Sequence, residues 1–246
     1  MANTFLTAEW RHLVMANYAV DPALLRPYLP AHTELDAWNG TYYVSLVGFR
    51  FLRTKVLGIG FPGHGSFEEF NLRFYVRHHD GNAWKRGVVF VKEIVPKPLI
   101  TLVANALYKE HYQTLPMRHR WEAPGDGTLR VEYAWRVKDH WDHIRVTADA
   151  AGQPLTSGSE AEYITEHFWG YTRVGDRVTS EYEVAHPRWD IHPVRDFDIR
   201  CSTTALYGPA FAEPLAAAPV SVFLAAGSPV LVKTGKQIRG ARVNTP

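Results

Sequence analysis

The chain has 246 residues, of which 46% are hydrophobic and 13% aromatic, and its formal net charge is +2. This composition is typical of a globular protein, and barrels and sandwiches of roughly 200–250 residues often form one unit, so we expect a single domain over residues 1–246. The charged residues are scattered and nearly balanced, which argues against a nucleic-acid-binding protein with a basic stripe.

Cysteine content and the N-terminus indicate the compartment. Cys201 is the only cysteine, which excludes an intrachain disulfide and fits a reducing environment. Residues 1–10 lack the basic and apolar regions of a signal peptide. No apolar run approaches the ~20 residues that a membrane helix needs. We therefore expect a cytoplasmic protein without a membrane partner.

Most of the predicted elements, taken in chain order, are strands. Asp21-Pro22 predicts an N-capped short helix that ends before Pro30. Asn39-Gly40 predicts a two-residue hairpin turn. β-branched and aromatic runs between turn residues predict further strands at 67–78, 84–95, 129–137, 144–149, 160–172, 177–184, 220–224 and 230–233.

One longer helix is predicted from Pro98 to about Glu110. Its apolar stripe should lie against the sheet and consists of Leu99, Leu102, Val103, Ala106 and Leu107. The predicted fold class is therefore mainly β: one antiparallel β-barrel or cone with short helices packed outside.

The strand at 84–95 is the most informative stretch of the chain. It is apolar enough to be buried on both faces, yet it carries Lys92 and Glu93 near its end, with Lys97 just beyond. Simple alternation would place Lys92 on one face with Val88 and Phe90, and Glu93 on the opposite face. A buried charge must find a partner or shift its pKa. The stretch therefore indicates either a polar group inside an apolar pocket or an internal ion pair without a chemical role.

A glycine-rich segment at 58–63 matches the dinucleotide pattern G-x-G-x-x-G in letters only. Pro62 removes a backbone N–H, and a strand rather than a helix is predicted to follow, so a phosphate site is disfavoured. We interpret this segment as a mobile loop at the mouth of a pocket, with Glu68 or Glu69 pointing into it.

Two further segments carry histidine. The run at 139–143 offers at most two ligands on one face and is better explained as a bend between strands, so we expect neither a metal nor another cofactor. The polar-aromatic segment at 166–171 could line a ligand cavity. Its candidate pocket residues are Glu166, His167, Trp169 and Tyr171.

Lysine is the residue type that would most change the chemistry. An amine of pKa about 10.4 is protonated at neutral pH, and lowering this pKa to about 7–8 takes roughly 3–5 kcal/mol of destabilisation of the ammonium. Most lysines fall in predicted loops or element ends, whereas Lys92 and Lys97 adjoin the buried strand. Burial of that strand end near an arginine could supply the shift.

Several stretches resemble the YqjF-like bacterial family. They are residues 10–30, 43–49, 67–73, 165–171 and 221–224, and the match extends over nearly the whole chain. This family is grouped with the acetoacetate decarboxylase-like superfamily. The resemblance implies an antiparallel β-barrel or cone around an internal cavity.

The more distant resemblance to acetoacetate decarboxylase implies site residues. Lys97 is similar to its Schiff-base lysine, Arg11 to its active-site arginine, and Glu68 or Glu69 to its acidic group. One departure concerns the enzyme's second lysine, which lowers the pKa of the first. Its place is taken here by Pro98, so Arg11, Lys92 or burial would have to replace it.

Three functions therefore stay open. An enzyme would use Lys97 or Lys92 to form an imine with a keto acid or related carbonyl, in decarboxylase, aldolase or dehydratase chemistry. Arg11 would hold the carboxylate, and the acidic candidates are Glu68, Glu69 and Glu93.

The second function is a non-catalytic binder of a small organic ligand, and the third is a structural protein with a filled barrel. A cavity adjoining Lys97 would favour the enzyme, whereas a cavity away from any lysine would favour the binder. Self-association is a further expectation.

Overall fold

The computed structural model describes residues 3–239, except for the side chains of residues 107 and 108. It is mainly β, with 57% strand and 15% helix, as the sequence predicts. The strands are β1 Thr4–Val20, β2 Glu34–Leu35, β3 Tyr42–Val56, β4 Phe67–His79, β5 Trp84–Val95, β6 Tyr112–Thr114, β7 Met117–Glu122, β8 Thr128–Val137, β9 His140–Asp149, β10 Trp169–Gly175, β11 Val178–Ala185, β12 Ile191–Arg200, β13 Ser221–Lys233 and β14 Lys236–Arg239.

The helices are short and lie between the strands. They are α1 Pro22–Leu25, α2 Pro98–Val103, α3 Glu160–Thr165, α4 Thr203–Tyr207 and α5 Ala212–Ala216. Single 3₁₀ turns follow α1 and precede α5, and a π-helical segment, Ala104–Tyr108, continues α2. Among the described residues, no helix is long and apolar enough to cross a membrane.

Strands β1, β3, β4, β5, β10, β11 and β13 pair in this order into a ring, which closes where β11 pairs with β13. The pairing of β10 with β5 is parallel, through Trp169 opposite Gly87 and Gly170 opposite Val88. A Cβ at Gly87 would lie 2.4 Å from the Trp169 carbonyl oxygen, so the ring closes here only because residue 87 is glycine.

Two hydrophobic clusters lie on opposite faces of the ring strands. Beyond β13 the sheet continues through β12, β9, β8 and β7, and side chains of β8 and β9 pack against outward-facing residues of β1, β3, β4 and β5. Phe70 and Trp135 stack within this outer cluster. The inner cluster faces the interior of the ring.

Several local predictions are confirmed. Asp21 caps α1 by accepting a hydrogen bond from the Ala23 N–H at 2.7 Å. Asn39 and Gly40 have φ angles of +50° and +80°, which is the conformation of a type I′ turn, and Trp38 and Thr41 form the closing pair.

The predicted strand at 160–172 is wrong in its first half, which forms α3. Ser159 accepts a hydrogen bond from the Glu162 N–H, and the Glu162 carboxylate accepts one from the Gly158 N–H. This reciprocal capping starts a helix, and it outweighs the strand propensity of the residues that follow. Strand β10 begins only at Trp169.

The predicted helix at 98–110 is also corrected. Regular α-helix ends at Val103, and Leu99 and Leu102 of the predicted stripe do not pack on a sheet, because they are 47% and 65% exposed. The side chain of Leu107, also predicted for this stripe, lies outside the described residues. The helix lies at an open end of the ring instead.

A bulge in β5 overturns the alternation predicted for this strand. Leu72 lies opposite Lys92, whereas Arg73, the next residue of β4, lies opposite Phe90, so one extra residue, Val91, is accommodated in β5. The extra residue reverses the inside–outside parity beyond it. Glu93 therefore shares the inner face with Phe90, and Lys92 lies on the face of Leu72.

A second bulge lies in β1. Arg11 is opposite Arg50 and Val14 is opposite Gly48, so two residues of β1 face one residue of β3. His12 adopts a φ of +55° at this point. Trp10 and Leu13 both reach the ring interior as a result, and Arg11 lies on the face opposite to Trp10.

Replacement of Gly227 by alanine is expected to destabilise the ring. Gly227 in β13 has a φ of +79°, and a Cβ there would lie 2.1 Å from the Trp10 carbonyl oxygen. We expect Gly227→Ala to lower the free energy of unfolding by about 3 kcal/mol, because left-handed backbone strain and overpacking add. Urea denaturation measures the loss.

Gly40→Ala is the matched control, because Gly40 has a φ of +80° but nothing lies within 4 Å of its Cβ position. It should lose only about 1–2 kcal/mol from the backbone. Equal losses in the two variants would contradict the close contact between β1 and β13.

Candidate ligand site

The ring encloses a cavity of about 430 Å³. Its walls are mainly apolar and aromatic, and include Trp10, Leu13, Phe49, Phe51, Phe67, Val88, Phe90, Trp169 and Val184. One end is bordered by Phe61 of the glycine-rich loop and by Leu99 of α2, which are both about half exposed. This end is the cavity mouth, and the position of the loop agrees with the sequence interpretation.

Strand β4 supplies a ladder of side chains to the cavity. Phe67, Glu69, Asn71 and Arg73 alternate along one face of the strand and all line the cavity. Glu69 and Asn71 are buried, and the Asn71 Nδ2 donates a hydrogen bond to Glu69 Oε1 at 3.0 Å. The ladder therefore brings a carboxyl, an amide and a guanidinium together at one wall.

Two further carboxyls complete an acidic cluster, which we define as Glu69, Glu93 and Glu110. All three are buried and line the cavity. Tyr112 donates a hydrogen bond to Glu69 Oε2 at 3.1 Å, and Thr172 donates one to Glu110 Oε1 at 2.6 Å. Glu93 lies directly opposite Asn71 in the β4–β5 ladder.

Burial shifts the pKa of each carboxyl in the acidic cluster upward. It raises the pKa of Glu69 and of Glu110 to about 7. The pKa of Glu93 is raised well above its ordinary value by burial, with the neighbouring Glu110 and Glu69 carboxyls adding to the shift. Near neutral pH Glu69 and Glu110 therefore titrate, and burial favours the protonated form of Glu93 as well.

Several buried polar atoms at the cavity have no hydrogen-bond partner among the described residues. They are Asn71 Oδ1, Arg73 Nε, Glu93 Oε2 and His167 Nδ1. His167 lies 3.4 Å from Asp36 through its Nε2, and burial lowers the pKa of this histidine to about 4, so the ring is neutral. Buried polar atoms of folded proteins normally have partners.

The structure brings four of the sequence candidates into the cavity wall: Glu69, Glu93, His167 and Trp169. The remaining candidates lie outside the described lining of the cavity. These are Arg11, Glu68, Lys92, Lys97, Glu166 and Tyr171.

Arg11 and Glu68 have other partners. The Arg11 guanidinium pairs with Glu9 at 2.8 Å and donates to the Gly227 carbonyl oxygen. Glu68 faces away from Glu69 on β4 and pairs with His119. Neither side chain is placed to hold a molecule in the cavity.

The two lysines lie on the strand and at its exit. Lys92 is half-buried on the outer side of β5, and burial lowers its pKa. Lys97 is half-buried at the N-cap of α2, two residues before Leu99 at the cavity mouth. No lysine among the described residues lines the cavity.

Glu166 and Tyr171 flank the cavity residues of their segment. Glu166 is half-buried at the end of α3, and burial raises its pKa. The Tyr171 hydroxyl donates hydrogen bonds to the Lys85 carbonyl oxygen and to the Glu181 carboxylate, each at 3.2 Å. Tyr171 thus packs within the outer cluster.

Sequence reasoning missed the roles of Asn71, Arg73, Glu110, Tyr112 and Tyr182, which all line the cavity. The first two could have been found from Glu69 by the period of two along β4. Glu110 and Tyr112 lie on the return from α2, where no pattern in the sequence indicates an approach to β5. Tyr182 reaches the cavity because β11 closes the ring, and the sequence alone does not indicate this closure.

A metal site is not formed by the residues that the structure describes. Among them, no group of three or more histidine, cysteine, aspartate or glutamate side chains is arranged to hold a metal ion. In the segment 139–143, His140 contacts Asp142 at 3.4 Å and Ser202 at 2.8 Å, at the start of β9.

The fold is that of acetoacetate decarboxylase-like proteins. Acetoacetate decarboxylase from Legionella pneumophila superposes with a TM-score of 0.66 over 96% of this chain and 88% of its own, at 13% identity. An acetoacetate decarboxylase-like enzyme from Sphingomonas wittichii RW1 gives 0.67 over 97% and 94%, at 14% identity. The enduracididine biosynthesis enzyme MppR, complexed with pyruvate, gives 0.65 over 96% and 91%, at 17% identity.

The chain belongs to the family DUF2071, described as "Uncharacterized conserved protein (COG2071)", whose model matches residues 7–229. It is also 27% identical over 188 residues to YqjF of Bacillus subtilis, which covers 73% of this chain and 72% of that protein. The resemblance found from the sequence is thereby confirmed.

Replacement of Glu69 by glutamine is expected to change how stability depends on pH. The pKa of Glu69 is about 7 in the folded protein and about 4.3 in an unfolded chain. Between these values the folded state holds a proton that the unfolded state has released, so the wild type loses stability as the pH rises. Between pH 5 and pH 8 the free energy of unfolding should fall by about 2–3 kcal/mol less in Glu69→Gln than in wild type, as measured by urea denaturation.

Glu68→Gln is the matched control with the opposite sign. Burial opposes it, but the hydrogen bond with His119 lowers the pKa of Glu68 overall. This carboxylate therefore stabilises the wild type at pH values above about 4.3, and its contribution is lost as the pH falls through the folded-state pKa. Glu68→Gln should be less stable than wild type at pH 6, and this deficit should shrink on acidification. The same sign in both variants would contradict the assignment of Glu69 as a buried acid.

Proposed function

We propose that this protein binds a small organic molecule in the cavity of the ring, without forming a covalent bond to it. The observation that carries the proposal is a mainly apolar cavity of about 430 Å³ that no lysine lines among the described residues. Ligand cavities of proteins are mostly apolar and carry a few polar groups that orient the ligand. Cytoplasmic location and self-association stay predictions from the sequence.

The arrangement of polar groups supports a binding role. The aromatic walls provide surface for a hydrocarbon body, and the polar groups are gathered at the wall formed by β4 and β5. Their unpartnered atoms are available to a ligand. A ligand that satisfies them would recover the cost of their burial, which is about 1–3 kcal/mol for each group.

The imine-forming enzyme is the second hypothesis. Its support is the position of Lys97, two residues before Leu99 at the cavity mouth. The Legionella and Sphingomonas relatives are described as acetoacetate decarboxylase and an acetoacetate decarboxylase-like enzyme. Against it, the lysine candidates lie outside the described lining, and Arg11, the proposed carboxylate clamp, is paired with Glu9.

Binding in the cavity can be tested with the neutral apolar dye N-phenyl-1-naphthylamine. We expect saturable fluorescence enhancement by wild type, because the dye leaves water for an apolar cavity. Val88 faces the cavity, so Val88→Trp should weaken dye binding at least about tenfold by filling the space.

Val220→Trp is the matched control, because Val220 is 57% exposed and lies outside the described lining. It should bind the dye as wild type does. Circular dichroism verifies that both variants are folded, and Ala104→Trp at the cavity mouth provides a second block. Unchanged dye binding by both blocking variants would overturn the proposal.

Borohydride trapping separates the binder from the imine-forming enzyme. After incubation with pyruvate or acetoacetate and reduction, we expect peptide mass spectrometry to show no more adduct on Lys97 or Lys92 than on the exposed Lys138. No described lysine faces the cavity interior, so neither amine is placed to attack the carbonyl carbon of a molecule bound there. A selective adduct on Lys97 that is lost in Lys97→Ala would instead establish the enzyme.

A further inference from the structure

We propose that the ligand of this cavity is an organic amine, held as its ammonium cation by Glu93 and Asn71 with its hydrocarbon body against the aromatic walls. This assignment rests on the proposed binding function and names the chemical class of the ligand. It begins from two buried oxygen atoms on neighbouring strands.

Asn71 and Glu93 present unsatisfied acceptors side by side. The two residues are directly opposite each other in the β4–β5 ladder, both line the cavity, and they are 1% and 2% exposed. Asn71 Oδ1 and Glu93 Oε2 have no hydrogen-bond partner among the described residues, whereas Asn71 Nδ2 already donates a hydrogen bond to Glu69 Oε1. An ammonium group carries only donors and would satisfy both oxygen atoms.

The charge balance of the lining favours the same ligand. Three carboxyls of the acidic cluster face a single guanidinium among the described lining residues, that of Arg73. The positive charge of Arg73 favours ionisation of Glu69. The pKa of Glu93, by contrast, is raised by burial and further by the like charges of Glu110 and Glu69. A cation beside Glu93 would replace this repulsion with attraction.

Arg73 is the feature that would favour an anionic ligand instead. Its Nε is unpartnered, but its Nη2 donates to the Ile164 carbonyl oxygen at 3.3 Å, and the guanidinium lies 5.6 Å from the centre of the Tyr75 ring. An added carboxylate would share the cavity with three acidic groups, and the like charges would oppose its binding. The arrangement thus favours a cation over an anion.

The walls suit the hydrocarbon part of such an amine. Trp10, Phe49 and Phe51 contact one another with ring centroids 5.2–5.8 Å apart, and Phe51 stacks on Phe67 at 4.6 Å. Aromatic faces also attract cations, most strongly where water is excluded. A compact arylalkylamine combines the required ammonium group with a body that fits these walls.

The groups around Glu93 determine how binding depends on pH. Glu69, Glu110 and Tyr112 act on Glu93 directly, and the other titratable or charged residues of the described lining are His64, Arg73, His167 and Tyr182. Because the carboxyls ionise as the pH rises, whereas His167 is already neutral, amine affinity should increase between pH 6 and pH 8. The affinity for a neutral ligand should not.

The experiment compares three probes of similar shape by isothermal titration calorimetry at pH 8: 2-phenylethylamine, 2-phenylethanol and 3-phenylpropionate. We expect the amine to bind at least tenfold more tightly than the alcohol, and the carboxylate to bind most weakly. Glu93→Gln, which keeps the size of the side chain but cannot ionise, should abolish the preference for the amine. Glu68→Gln, whose side chain lies outside the described lining, should retain it.

Dye binding by the same samples distinguishes failure of the amine assignment from failure of the proposed binding function. If N-phenyl-1-naphthylamine binds in the cavity but the amine shows no advantage, or Glu93→Gln keeps the advantage while still binding the dye, the amine assignment is overturned and the binding function stands. If neither the dye nor any of the probes binds to folded wild type, both are overturned.

Discussion

The chemistry of the cavity depends on one extra residue in a strand. Side chains of a β-strand alternate between two faces, so inserting Val91 as a bulge exchanges the faces of every residue that follows it until the strand ends. Without it, Lys92 would face the cavity and Glu93 would lie outside. The cavity therefore contains an acid where regular alternation would have placed an amine, and the difference decides which reactions and ligands are compatible with the site.

Burial then determines the state of that acid. An ionised carboxylate in an apolar interior is costly unless a cation or several hydrogen bonds compensate it, and Glu93 has neither on its Oε2. Burial therefore raises the pKa of Glu93, and its neighbours Glu69 and Glu110 titrate near neutral pH. The same ring that provides apolar surface for a ligand thus also provides polar atoms whose hydrogen bonds are incomplete. The polar atoms that are available to bind a ligand are therefore the same atoms whose burial is costly in its absence.

The sequence predicts the class of fold and many of its elements, because local rules determine them. Strand β5 and the turn at Asn39-Gly40 follow from propensity and from the φ angles that asparagine and glycine tolerate. The bulge at Val91 could not be predicted, because it arises from the pairing of β5 with β4 rather than from any residue preference. The start of α3 was recognisable in principle from Ser159 and Glu162, but aromatic residues downstream favoured a strand.

The sequence also predicts part of the candidate site. Glu69 and His167 lie in segments of mixed polar and aromatic composition, and both line the cavity. Glu110 and Tyr112 approach the site from a distant part of the chain, and only the three-dimensional path of α2 brings them there.

The acidic cluster also affects the molecule as a whole. The formal charge of +2 counts every glutamate as ionised, yet burial raises the pKa of all three carboxyls of the acidic cluster, to about 7 for Glu69 and Glu110. In mildly acidic solution the native protein is thus more positive than its sequence suggests, before any histidine is counted. Its electrophoretic mobility and its retention on ion-exchange media therefore depend on the protonation of the carboxyls inside the ring as well as on the charges at the surface. Unfolding at constant pH would release these protons and reduce the positive charge.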